Sequence, residues 1–419
     1  MKRFKVLLCF ILSALCTTLC CCTPESQSLT AGYSRSDAVP EYNFYSDEEI
    51  TPENYAEFAE SYMDFSASLL VNASEDESCV LSPLSLYTAL CMTSNGASGK
   101  TLKELERVLG QDLSISEINT FIHYLNSRVK ALNNEDGYVN TTNSLWLRDE
   151  YSVKSQFLQT IVNYYDAEVF RENLDSDGAH KINSWINKNT EGEIKDMVAN
   201  LSADTAAVLI NTLLFNDQWV TPYGSENISS GVFYGTKGEE QADFMTSNEM
   251  LLEANDAKGF VKSYKNTPCK FVAILPNEDI SLEEYVSSLS GAKLEKLFES
   301  ASGVSRCEAH IPQFELRTKL SLTDIVKSMG AELMLSGEAN FDSLTMSEGL
   351  FVSDLLQESF LKLTPEGTEA GSASAVVMKD SASPSEGFET LTFNRPFLFM
   401  VVENEYSLPL FIGTVQNIN

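Results

Sequence analysis

No stretch of this chain narrows its folding options more than residues 357–377, QESFLKLTPEGTEAGSASAVV. Phe360, Leu361 and Leu363 around Lys362 predict a short, mostly apolar strand, and Pro365 and Gly367 punctuate it. From Gly367 to Ala375 the residues run Gly, Thr, Glu, Ala, Gly, Ser, Ala, Ser, Ala, and only Glu369 carries a side chain larger than threonine. A helix is disfavoured because Gly and Ser weaken it. An ordinary strand is disfavoured because β-branched and aromatic residues are scarce. Strand alternation puts Thr368, Ala370, Ser372 and Ser374 on one face and Glu369 on the other. Such a small-residue face slides beneath a cover without clashes while the one charge stays in water. The segment reads as a loop able to become a central strand; on composition alone a flexible Gly/Ser/Ala linker competes with that reading.

The first 22 residues read as a targeting segment. Lys2, Arg3 and Lys5 precede an apolar run from Val6 to Leu19 that is too short to span a bilayer comfortably. The run ends in Leu19-Cys20-Cys21-Cys22, which resembles a bacterial lipoprotein signal with Cys22 as the lipidated residue and Cys20 and Cys21 as alternatives. Export and a lipid anchor in the cell envelope are the expectation. Residues 23–51 are polar, with Pro24 and Pro40 and no apolar period, and are expected to form a flexible tether. The formal charge of −31 becomes −34 once residues 1–22, with three positive and no negative groups, are removed. That surface repels nucleic acid and anionic membrane. Four cysteines lie beyond the targeting segment, Cys79, Cys91, Cys269 and Cys307, and none forms a C-x-x-C pair. They are expected as buried thiols, with one disulfide open to an exported protein and its pairing undetermined.

The globular domain is expected from residue 52 to 419. Thr51-Pro52-Glu53 reads as an N-cap with proline at the first helical position, and Phe58, Tyr62, Phe65 and Leu69 share one helix face. Leu81-Ser82-Pro83-Leu84-Ser85 opens a second helix, and a third from Thr101 stops at Gly110. Val139 to Leu147 alternates as a strand, Ile182, Trp185 and Ile186 mark an amphipathic helix, and Ala206–Phe215 is apolar enough for a strand buried on both faces. Helices dominate early and strands late, which argues an α+β fold.

Read in order, these segments resemble the serpins. The hinge of that family reads Glu-Gly-Thr-Glu-Ala followed by small residues, as Glu366, Gly367, Thr368, Glu369, Ala370, Gly371, Ser372, Ala373 and Ser374 do here. Ser82-Pro83-x-Ser85, Asn143-Ser144-Leu145-Trp146, Asn211 through Trp219, Ile311-Pro312-x-Phe314, Arg395-Pro396-Phe397 and Phe411-Ile412-Gly413 follow in family order. The resemblance implies helices packed on three β-sheets with an exposed reactive-centre loop at about 365–390. It also implies a sheet-opening region at Ser82, Ser85, Asn211, Trp219 and Gln357. Gln357 stands where many members have His, Pro365 where the family usually has Glu, and Tyr223 where Phe is usual. The amide of Gln357 can still hydrogen-bond; Pro365 removes an ion pair and a backbone donor.

The function implied is that of a suicide inhibitor of serine proteases, with cysteine proteases as further targets. The family's spacing from Gly367 sets the scissile bond at Ser381-Ala382, with Met378 and Lys379 as alternatives. Small residues there suit an elastase-like or subtilisin-like protease. No cofactor, metal or nucleic acid is expected, and a monomer is. The second reading is a non-inhibitory serpin-like binding protein at the cell surface. An enzyme is disfavoured: the histidines are His123, His180 and His310, and neither Gly-x-Ser-x-Gly nor His-Glu-x-x-His occurs.

Overall fold

The computed structural model describes residues 26–42, 44, 51–73, 77–110, 113–131, 133–199, 201–202, 204–301, 305–369 and 389–418. Helix α1 spans Tyr55–Ala73 and buries Phe58, Tyr62, Phe65 and Leu69 on one side. It starts later than the Thr51-Pro52 signal predicts. Asn54 has φ 61°, in the left-handed region, so a separate turn precedes the helix, closed by the Tyr55 N–H on the Pro52 carbonyl at 3.2 Å. Strand β1 (Cys79–Leu81) leads into α2 (Pro83–Gly96), where the Ser82 hydroxyl accepts from the Ser85 N–H at 3.2 Å and Pro83 occupies the first turn. Almost every residue of α2 is buried, which makes it the central helix. Next come α3 (Gly99–Gly110) and α4 (Ile115–Lys130), the latter opened by a reciprocal Ser114–Glu117 cap.

Strand β2 (Tyr138–Arg148), α5 (Ser155–Tyr165), β3 (Glu168–Glu172), α6 (Ser176–Asn189) and β4 (Ala207–Gln218) complete the first half. The second half is mostly strand: β5 (Ile228–Gly235), β6 (Gly238–Glu253), β7 (Ala257–Ser263) and β8 (Cys269–Pro276), with α7 (Leu282–Ser287) and α8 (Gly291–Glu299) after them. Then follow β9 (Arg306–Pro312), β10 (Phe314–Ser321), α9 (Thr323–Ser328), β11 (Asp354–Leu363), β12 (Gly367–Glu369), β13 (Glu389–Thr392), β14 (Phe397–Glu403) and β15 (Pro409–Val415). One sheet has six strands in the order β10-β11-β12-β4-β2-β3. The other two of the three expected sheets are joined by hydrogen bonds into nine strands, because the 16-residue β6 pairs with β5 and β9 along its length and with β7 at its end.

The continuous apolarity of β4 follows from its position. Leu209, Leu213 and Phe215 join the main core, whereas Val208 and Ile210 pack with Trp146, Phe170, Ile182 and Ile186 in a second cluster that includes residues of α6. A strand covered on both faces has no polar side to show. Cys91, Cys269 and Cys307 are buried free thiols, and Cys79 is buried as well.

The polar stretch expected as a tether departs from that expectation over residues 26–42, which lie against the domain. The Leu29 N–H reaches the Val169 carbonyl of edge strand β3 at 2.7 Å. Arg35 pairs with Asp166 at 2.6 Å, and the Gln159 amide donates to the Ser34 carbonyl at 2.8 Å. Val39 is buried, and Tyr42 sits edge-on to Tyr124 with ring centroids 4.9 Å apart. Burial holds the His123 pKa below the ordinary imidazole range, and the neutral ring donates from Nε2 to the Pro40 carbonyl at 3.1 Å. The anchors are too sparse for a period, so pattern analysis misses them. Removing residues 1–42 is expected to lower the melting temperature by about 3–6 °C, from one buried Val and a few hydrogen bonds. An unchanged melting temperature in calorimetry would mean the docked segment contributes nothing.

Candidate functional site: the opening between β11 and β4

Strands β11 and β4 run parallel and pair directly only from Asp354–Glu358 against Val208–Thr212. Beyond that point they part, and β12 fills the far end of the opening. It pairs antiparallel with both flanks: Thr368 opposite Leu363 on one side and Asp217 on the other, and Gly367 opposite Gln218. Glycine is required at 367, because a Cβ there would lie 2.1 Å from the Asp217 carbonyl oxygen. Thr368 is 1% exposed, and its hydroxyl is 2.5 Å from that of Tyr264. Burial raises the Tyr264 pKa, so the group stays a neutral hydroxyl. The Tyr264 ring stacks on Trp219 with centroids 4.6 Å apart.

The turn before β12 is held as tightly. The Trp219 N–H donates to the Glu366 carbonyl at 2.9 Å and its indole N–H to the Thr364 carbonyl at 3.0 Å. The Tyr223 N–H reaches the Pro365 carbonyl at 2.9 Å, and the Gly367 N–H reaches the Thr364 hydroxyl at 3.2 Å. Pro365 gives up a donor, but its carbonyl still serves.

Deeper under the sheet, where β11 and β4 still pair, the Gln357 amide both accepts from the Ser82 N–H and donates to the Ser82 carbonyl, each at 3.0 Å. This ties β11 to the start of α2. Asn211 donates to Asn143 across the β4–β2 ladder. Three buried polar atoms here have no partner: Asn211 Oδ1, Thr212 Oγ1 and Ser85 Oγ. Burial without a hydrogen bond costs free energy. Ser82, Ser85, Asn211 and Gln357 thus gather at one end of the opening, and Trp219 stands with Glu366, Gly367 and Thr368 at the other. Ala370, Gly371, Ser372, Ala373, Ser374, Met378, Lys379, Ser381, Ala382 and Cys22 lie outside the described residues, as does the side chain of Glu369.

Sequence reasoning missed Tyr264, Thr364 and Asp217. Only Asp217 left a signal, an acid at the end of an otherwise apolar run. The histidines do not converge on this region. His180 is exposed. His310 bridges Thr246 at 3.2 Å and Glu308 at 3.0 Å, and Thr246 is its direct cross-strand neighbour in the β6–β9 ladder. Among the described residues no cluster of three His, Cys, Asp or Glu is arranged to hold a metal ion.

Comparison with known proteins gives this arrangement a family. Residues 60–418 match the family model described as serpin (serine protease inhibitor). Human Serpin B4 is 28% identical over 365 residues, covering 81% of this chain and 93% of that protein. The crystal structure of the thermophilic serpin Tengpin in its native state superposes with a TM-score of 0.84 at 30% identity, covering 94% of this chain and all of that one. Human thyroxine-binding globulin, solved in complex with thyroxine, shares the fold with a TM-score of 0.77 at 22% identity, over 87% of this chain and 99% of that one.

Proposed function

The chain belongs to the serpin family, and from that premise we propose that it is a suicide inhibitor of serine proteases that traps its target by inserting its loop between β11 and β4. The observation that carries this reading is the seat of Gly367 and Thr368 between the two strands, with the opening beyond them unfilled along Leu213–Asn216 of β4 among the described residues. A protease attacks the loop and forms an acyl-enzyme through its nucleophile. Cleavage releases the segment after Glu369 from its distal attachment. Continuing the register of β12 then brings Ala370 opposite Leu361 and Phe215, Ser372 opposite Ser359 and Leu213, and, once the direct pairs of β11 with β4 part, Ser374 opposite Gln357 and Asn211. These small residues meet the core-facing side of the opening, and Ser374 would arrive beside the unpartnered Asn211 Oδ1. About 14 residues at ~3.3 Å each would carry the attached protease on the order of 45 Å. Trapping requires that insertion outrun deacylation, and side chains no larger than threonine favour speed. In this reading the chain is not itself an enzyme.

A lipid anchor at Cys22 is part of the proposal, and supports a role at the cell envelope against proteases met there. The target is set by the loop tip. With Ser381-Ala382 as the scissile bond, a protease with a small primary pocket is favoured, elastase-like or subtilisin-like. The expected result is an SDS-resistant complex with an elastase or subtilisin, and a cut after Ser381 by mass spectrometry. Complex with trypsin alone would move the bond to Lys379. Cleavage without complex would support the non-inhibitory binding protein instead, the reading that the fold shared with thyroxine-binding globulin keeps in play.

A further inference from the structure

Asp217 is 1% exposed, and its carboxylate is the acceptor for a whole turn. Its Oδ1 accepts from the Gln218 N–H at 2.7 Å and from the Asn266 side-chain amide at 2.8 Å. The Asn266 backbone N–H lies 3.1 Å from both oxygens. Oδ2 accepts from the Thr267 N–H at 2.6 Å and the Thr267 hydroxyl at 2.7 Å. All of these donors except Gln218 belong to the turn between β7 and β8. The same turn carries Tyr264, whose hydroxyl meets Thr368. Asp217 is also the residue opposite Thr368 in the β12–β4 ladder. One side chain therefore fixes the two walls that receive the first hinge residues: the end of β4 by its own backbone, and Tyr264 through the turn.

We propose that Asp217 is a positioning residue for loop insertion, which holds Gly367 and Thr368 as a preformed first rung. The physical consequence is kinetic. Starting a new strand between two others costs chain entropy before any ladder is gained, as the first turn of a helix does. With the first rung already paired on both sides, insertion after cleavage is elongation alone. Charge-assisted hydrogen bonds hold that rung at low cost in chain entropy. The proposal rests on the inhibitor reading above.

Asp217→Asn tests it. The substitution keeps volume and turns one acceptor into a donor facing N–H groups. The fold should survive, because the Lys265 N–H on the Gln218 carbonyl and the Val220 N–H on the Ser263 carbonyl still join β4 to the hairpin. Thr267→Val is the milder second variant, and Thr267→Ser should restore wild-type behaviour. Hydrogen exchange of the peptide spanning Leu363–Glu369 in the intact protein should speed up about tenfold or more in Asp217→Asn, the scale of a lost charge-assisted bond, while strands β7 and β8 keep their protection. The stoichiometry of inhibition, moles of inhibitor consumed per mole of protease trapped, should rise by about threefold or more, with the rate of loop cleavage unchanged. A purely structural role would loosen β7 and β8 equally and leave the stoichiometry alone. Unchanged hinge exchange, or faster exchange with wild-type stoichiometry, overturns the proposal. If the wild-type protein traps no protease in a panel of elastases, subtilisins and trypsins, the inhibitor reading fails instead, and the exchange result still decides whether Asp217 holds the hinge.

Discussion

Thr368→Arg is expected to turn the protein from a trap into a substrate. Thr368 is 1% exposed, opposite Leu363 and Asp217, with its hydroxyl 2.5 Å from Tyr264. An Arg side chain at that position has no room beside Tyr264 and brings a guanidinium under the sheet. Burying that charge costs several kcal/mol even after relaxation, because the oxygens of Asp217 opposite are already taken by Gln218, Asn266 and Thr267. The hinge would leave the opening and insertion would slow by orders of magnitude, since about 1.4 kcal/mol is a factor of ten in rate. The loop tip is untouched, so the protease should cut as before. Stoichiometry of inhibition should climb at least about tenfold, and gels should show cleaved inhibitor in place of complex. Glu369→Arg is the control, because alternation sets that position on the opposite face. Equal loss of complex in both variants would refute the face assignment. Full inhibition by Thr368→Arg would show that this hinge does not insert.

Cleavage of the loop between residues 377 and 385 is expected to raise the melting temperature. In the intact arrangement β11 and β4 share a ladder over five residues on each strand and then diverge, so among the described residues the backbone beyond Thr212 and Glu358 has no neighbour on the shared side until β12. Asn211 Oδ1 and Thr212 Oγ1 are buried without partners in the same region. An inserted strand would part the direct β11–β4 pairs it replaces, supply ladder bonds to both flanks in their place, and bring the Ser374 hydroxyl beside Asn211. At about 1 kcal/mol per net hydrogen bond, a strand of eight or so residues stabilises enough to shift the midpoint on the order of 10 °C or more. Calorimetry of intact and proteolysed protein reads this directly. A cleaved form that melts at or below the intact form would mean that the opening does not accept the loop.

These expectations draw on two kinds of information. Local pattern was enough for the parts whose physics is local. Proline after Ser82 and its cap mark the start of α2, an unbroken apolar run marks β4 as doubly covered, and a run of small residues after Leu363 marks a segment suited to slide under a sheet. The family order of short motifs carried the fold, since each motif sits where a backbone or packing constraint is met within a few residues. Other features were decided only in three dimensions. Residues 26–42 look like a tether because Leu29, Val39 and Tyr42 follow no period; they dock because β3, α4 and α5 offer an edge carbonyl, an aromatic ring and the Gln159 amide. Asn54 moved the start of α1 through a backbone angle that Thr51-Pro52 does not encode. Asp217 and Tyr264 gained their part in the site from Thr267 and Thr368, residues 50 and 104 positions away. Periodicity reports which face of one element is apolar. It carries no record of which distant donor will meet a buried acceptor, and at this opening those long-range hydrogen bonds determine how the hinge is held.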